Sequence, residues 1–180
     1  LPGVELKITD RQTGATLPQG EIGEIEVRGP NVFQGYWQMP EKTAEELREN
    51  GFFITGDLGK IDEDGYLHIV GRNKDLIISG GYNIYPKEIE LLLDNEAGVL
   101  ESAVVGVPHP DFGETVVGVV VAEKGVELDL DQLKQNISGS LARFKQPQKL
   151  FVVDELPRNT MGKVQKKALR EAYKNTYQKP

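Results

Sequence analysis

Charge in this chain gathers near its carboxyl end, in PRNTMGKVQKKALR, residues 157 to 170, where Lys163 follows a glycine in a polar turn. From Phe144 to Pro180 nine Lys or Arg stand against three acids, a balance of +6 in a chain of net charge -7, which leaves -13 on the other 143 residues. That asymmetry points to an anionic partner, either a phosphorylated small molecule or a nucleic acid; a solvated helix face is the plainer alternative. Lys163 is then either a reagent or one more solvated cation. Three further groups could bind. Asp57, in Thr55-Gly56-Asp57, can accept two hydrogen bonds at once, or can cap backbone amides in a turn. Arg72 offers a planar, permanently charged fork, or a surface ion pair with an acid such as Asp75. Gly80 and Gly81, after Ser79, let backbone approach a ligand closely, or make a hairpin turn.

These groups need a frame. Residues 1 to 30 read as short strands of period two with dense Gly and Pro punctuation, and PEKTAEELREN at 40 to 50 reads as a short helix with an exposed acidic face. FFITGD and GKIDEDGYLHIVGR return to strand, with DEDG as a hairpin signal. After Arg72 the texture changes. LIISGGYNIYP leads into PKEIELLLDN, a helix with Pro first and Ile89, Leu92 and Leu93 on one face. VLESAVVGVPHP and ETVVGVVVAE are β-branched runs of buried-strand type. A helix with apolar residues at 130, 133, 137 and 141, a strand KLFVVDEL and a last helix VQKKALREAYKN complete the chain. The pattern predicts an α+β chain, β-rich over 1–72, followed by a small α+β domain over 73–180.

Composition narrows the class. A hydrophobic share of 38% and a charged share of 27% over 180 residues fit a globular chain with a core. Without cysteine there are no disulfides, thiolate nucleophiles or cysteine metal sites, and two separated histidines offer little for zinc. No apolar run reaches the roughly 20 residues of a membrane span, and LPGVELKITD lacks a signal peptide's basic and apolar segments, so the expected location is the cytoplasm. Against nucleic acid, the tail has no interleaved aromatics apart from Tyr173 and Tyr177. His68 reads as a structural strand residue and His109 as part of a proline-bounded turn. Tyr36 and Trp37 are expected to pack on the β-rich portion.

Taken in order, FFITGDLG, GYLHIVGRNKDLIISGGYNIYPKEIE and LPRNTMGKVQKKALR resemble three successive signatures of the adenylate-forming acyl-CoA synthetases. GYWQMPEKTAEE, SGGYNIYPKEIE, VPHPDFGE and PRNTMGKVQK look most like the malonyl-CoA synthetases among them. The resemblance spans the whole chain and implies an ATP-dependent acid–CoA ligase, with malonate the preferred acid and a fatty or aryl acid the alternative. It also implies that the phosphate loop, the acyl pocket and the magnesium ligands belong to an upstream amino-terminal domain, so that this part alone is inactive. Residues 1–72 would be the β-rich end of that large domain and 73–180 the mobile lid.

Residue by residue, the resemblance makes Asp57 and Arg72 ATP- and AMP-binding, Lys74 the hinge, and the backbone of Ser79, Gly80 and Gly81 a contact for CoA. Lys163 becomes the catalytic lysine of adenylation. Lys166, Lys167, Arg170 and Lys174 then read as a solvated face attracting CoA phosphates, with Arg143 and Lys145 as similar candidates. The partners implied are a small carboxylic acid, ATP with magnesium, CoA and the rest of the same enzyme, with no nucleic acid and no membrane span.

Overall fold

The computed structural model describes residues 2–178. Lys179, the last cation of the basic tail, lies outside them, as do Leu1 and Pro180, the outer ends of the two expected domains. The chain is a mixed α+β fold that divides into two compact units, Leu1–Lys74 and Asp75–Pro180.

The first unit is a four-stranded antiparallel sheet in the order β1-β2-β3-β4, with β1 Glu5–Thr9, β2 Gly23–Arg28, β3 Phe53–Ile61 and β4 Leu67–Arg72. A seven-residue helix, α1 (Pro40–Glu46), joins β2 to β3. Period-two alternation places Ile8 opposite Ile25 in register, and both are buried with Phe52 and Leu58. Glu26 is buried too. Thr9 Oγ1 donates to its Oε1 at 2.9 Å, Arg48 donates to the same oxygen at 2.8 Å, and Lys7 pairs with Oε2 at 3.0 Å. Burial alone would push this carboxyl up, but hydrogen bonds from Arg48, Lys7 and Thr9 hold it below its ordinary range.

The DEDG turn closes β3 onto β4, with Asp62 Oδ1 accepting from the amides of Asp64 and Tyr66. His68 is exposed and its Nε2 lies 2.5 Å from Asp62 Oδ2, so it clamps the hairpin rather than joining a core. That contact, with the Tyr66 amide, holds the Asp62 carboxyl below its usual range.

Two sequence expectations fail around α1. Tyr36 packs edge-on against Phe33, whose ring in turn meets Phe53, but Trp37 is 87% exposed. A turn hydrogen bond from Met39 N to Tyr36 O encloses Trp37 and Gln38, and Gln38 takes φ +53; this turn carries the indole outward while Tyr36 stays half-buried. The helix also stops at Glu46, because Leu47 turns extended and pairs with Phe53.

The second unit contains β5 Ile77–Ser79, β6 Tyr82–Ile84, α2 Pro86–Asp94, β7 Val99–His109, β8 Gly113–Ala122, α3 Leu130–Ser138, β9 Lys149–Val153 and α4 Lys166–Tyr173. β8 is central. Antiparallel β7 lies along one side; parallel β9 lies along the other, with the β5–β6 hairpin beside the first residue of β8.

Both faces of β8 are covered, which is why Val116–Val121 reads as a nearly unbroken apolar run rather than an alternation. On one face Val104, Val116 and Val120 meet Ile89 and Leu93 of α2 and Leu133 and Ile137 of α3. On the other, Val105, Val117 and Val119 meet Leu156 and Leu169, the latter from α4. Complete burial of a side chain such as Ile89 or Leu93 contributes roughly 1.5–3 kcal/mol. Asp129 caps α3 by accepting from the amides of Asp131 and Gln132, each at 3.0 Å. β7 is a sheet edge, and Glu90 of α2 covers it by accepting from Val104 N at 2.9 Å. No helix among the described residues is long and apolar enough to cross a membrane.

Candidate functional site

Asp57 and Arg72 stand directly opposite each other on β3 and β4, so their side chains leave the same face of the sheet. Arg72 Nε lies 2.9 Å from Asp57 Oδ1, and the side chains are 57% and 25% exposed, respectively. Gly56 takes φ +72, and Thr55 fixes the turn by donating to Ile25 O at 2.9 Å while accepting from Asp57 N at 3.1 Å. An ion pair this exposed contributes only about 0–1 kcal/mol. Its carboxylate and fork can therefore be given over to a ligand at small cost. Arg72 does pair with an acid, but with Asp57 rather than Asp75, which accepts from Arg170 at 3.1 and 3.3 Å.

Lys74 is exposed, in a single 3₁₀ turn, and is the last residue of the first unit. Its neighbours are tied to opposite units. Asn73 donates to Glu24 Oε1 at 3.1 Å in the first, and Asp75 is held by Arg170 in the second. Lys74 itself lies between these two tethers.

Ser79 pairs with Tyr82 across a two-residue turn in which Gly80 and Gly81 take φ +55 and +84. Both signs suit the tight hairpin turn that glycine makes without strain. Gly80 N donates to Phe112 O at 2.9 Å, which seats the turn beside the start of β8. Sequence reasoning missed what surrounds it: Tyr82 stacks on Phe144 with centroids 4.4 Å apart, Phe112 stacks on His109 at 4.8 Å, and Tyr82, Phe112 and Phe144 are all exposed. Tyr82 and Phe144 are far apart in sequence and meet only through the packing of the unit, so no local signal marked that pair.

Lys163 ends a hairpin loop. Gly162 N donates to Asn159 O at 2.9 Å and Asn159 N to Lys163 O at 3.0 Å, while Asn159 Oδ1 accepts from Met161 N and Lys163 N. Gly162 takes φ +76. Lys163 is exposed and its ammonium has no ion pair or hydrogen bond among the described residues.

Most of its basic neighbours are engaged, which overturns the reading of a solvated cationic face. Lys166 lies 2.5 Å from the buried Glu90 carboxylate, Arg170 holds Asp75, Lys174 pairs with Glu171 one turn back, and Lys145 grips Glu88 at 2.7 Å. Helical spacing shows only the Lys174–Glu171 pair; the acids that hold Lys145, Lys166 and Arg170 are Glu88 and Glu90 of α2 and Asp75, 57 to 95 residues away in sequence. Lys167 and Arg143 remain exposed.

Residues 88–163 match the model of the AMP-binding enzyme C-terminal domain, and residues 1–37 match that of the AMP-binding enzyme. The chain belongs to the AMP-binding enzyme family. Relatives of this family include a feruloyl-CoA synthase from Amycolatopsis, 47% identical over 89% of this chain and 33% of its own length. A long-chain-fatty-acid–CoA ligase from Bacillus subtilis is 42% identical over 94% of this chain and 30% of its own. Among solved structures, ATP-bound MatB from Rhodopseudomonas palustris superposes with a TM-score of 0.93 at 62% identity, covering 99% of this chain and 35% of that one. The chain spans about a third of the length of the relatives it matches.

Proposed function

We propose that this chain is the carboxyl-terminal part of an ATP-dependent acid–CoA ligase of the cytoplasm. A carboxylate oxygen attacks the α-phosphorus of ATP and pyrophosphate leaves; the CoA thiol then attacks the acyl carbon and AMP leaves. In this reading Asp57 accepts from the ribose hydroxyls and Arg72 supports the nucleotide. Lys74 is the hinge, and the backbone of Ser79, Gly80 and Gly81 contacts CoA. Lys163 is the catalytic lysine, stabilising charge that builds between carboxylate and phosphate. Magnesium enters with ATP, its protein ligands lying upstream, and residues 73–180 act as the lid.

One observation carries this reading: Lys163 is an exposed ammonium with no partner among the described residues, on a turn held by hydrogen bonds to Asn159, in a segment where Lys166 and Arg170 are committed to acids. An ammonium without an ion pair has none to break before it meets an incoming anion. In the complete enzyme, Lys163→Ala is expected to lower acyl-adenylate formation roughly 100- to 1,000-fold, measured by pyrophosphate exchange, while thioester formation from preformed acyl-AMP survives. Equal loss in both halves would refute the role.

Malonate is the acid best supported, by the resemblance of the quoted motifs to malonyl-CoA synthetases and by the 62% identity to MatB. The feruloyl- and fatty-acid-specific relatives favour the second reading, an aryl or fatty acid, at lower identity. Competing malonate, ferulate and palmitate against one another by kcat/KM separates the two.

A further inference from the structure

The Lys163 turn has two separate sets of restraints. Its shape is internal, set by the hydrogen bonds to Asn159 and by the left-handed φ of Gly162. Its direction is set elsewhere. Arg158 Nη1 donates to Gly162 O at 2.7 Å, the carbonyl that directly precedes Lys163, while Nη2 is hydrogen-bonded to the Glu101 carboxylate. Glu101 belongs to β7, in register with Val121 of the central strand. The arms of the hairpin are joined to each other by the Arg158–Val164 bridge and packed on that same sheet through buried Leu156 and partly buried Val164. Its tip has no apolar anchor: Thr160, Met161, Gly162 and Lys163 are all exposed.

We propose that Arg158, held by Glu101, is a positioning residue that aims Lys163 by tying the tip of its turn to β7. The role rests on the reading of Lys163 as the adenylation lysine. A guanidinium suits it because its fork grips a carbonyl and a carboxylate at once from fixed directions; a lysine can bond both but without fixed geometry. The carboxylate orients the fork, and the fork orients the peptide plane from which the Lys163 backbone continues. Without it the turn keeps its shape but pivots on its arms, and misplacement of a reacting group by about 1 Å costs on the order of 100-fold in rate. Arg158 itself touches no substrate in this account.

The test uses the complete enzyme with Arg158→Gln, Arg158→Lys and Glu101→Gln, and Lys163→Ala alongside. Arg158→Gln is expected to lower kcat of adenylation roughly 10- to 100-fold with KM for ATP within twofold of the parent, and to leave thioester formation from preformed acyl-AMP unchanged. Arg158→Lys recovers part of the loss, and Glu101→Gln, which keeps an acceptor but not the charge, falls between. A purely structural brace would lower both half-reactions together and would not be rescued by lysine, and that outcome overturns the proposal. So does adenylation within twofold of the parent in Arg158→Gln. If Lys163→Ala is damaging while Arg158→Gln is neutral, the positioning role alone fails; if Lys163→Ala is itself neutral, the reading of the lysine fails and takes this role with it.

Discussion

Replacing Gly162 by alanine separates the cost of the Lys163 turn from its use. Gly162 takes φ +76, and a Cβ built there would meet nothing within 4 Å. Sterics outside the residue therefore contribute nothing, and the whole cost is the left-handed backbone, about 1–2 kcal/mol for an L-residue. Against it stand the bonds from Gly162 N to Asn159 O, Asn159 N to Lys163 O, Met161 N and Lys163 N to Asn159 Oδ1, and Arg158 to Gly162 O. At a net 0.5–1.5 kcal/mol each these outweigh the strain. The turn should keep its shape and store the strain as lost stability. Since about 1.4 kcal/mol is tenfold in an equilibrium, opening of the loop should become roughly 5- to 30-fold easier. Hydrogen exchange at the Gly162 and Lys163 amides reads this directly. Gly162→Asn, whose side chain tolerates the left-handed region, should lose about half as much free energy. Adenylation by the complete enzyme should fall less than threefold in either variant. The reasoning is refuted if protection at these amides is unchanged in Gly162→Ala, or if asparagine costs as much as alanine.

Two further outcomes concern the buried charges. Glu26→Gln should destabilise the first unit toward the low end of the roughly 3–5 kcal/mol typical of a broken buried pair, because Lys7 and Arg48 keep partial access to solvent. The Glu26 carboxyl is held below its ordinary 4.5 in the folded chain, so its stabilisation is complete above that pH and is lost as pH falls through the folded value. Urea unfolding between pH 3 and 6 should show a decline in the parent that is shallower in Glu26→Gln. In the second unit, Lys166→Met leaves the Glu90 carboxylate buried without its counter-charge and should cost about 3–5 kcal/mol. Lys166→Met/Glu90→Gln, which keeps an acceptor for Val104 N, should recover more than half of that in the same unfolding measurement.

Strand and helix types could be read from local pattern where one interaction dominates. The double-faced valine run of β8, the proline-started α2 and the DEDG hairpin each carry their cause within a few residues. An aromatic beside Tyr36 looks like core in sequence, but the turn at Gln38 decides which of the two rings faces in and sends Trp37 outward. Lys166 and Arg170 differ from their sequence reading for a related reason: helical spacing tells which side chains share a face, but not what that face meets.

The amino-acid order by itself determined the α+β alternation, the glycines that left-handed turns require, and the three motifs that mark the family. These depend on backbone torsion and on the period of apolar residues, which act over one turn of helix or one pair of strand positions. The tertiary structure alone decided which charges are spent and which are kept. Coulomb attraction and hydrogen bonding reach only a few ångströms, so the fate of Arg158, Lys166 and Arg170 was fixed when folding brought Glu101, Glu90 and Asp75 beside them, and that of Lys163 when no acid among the described residues came within reach.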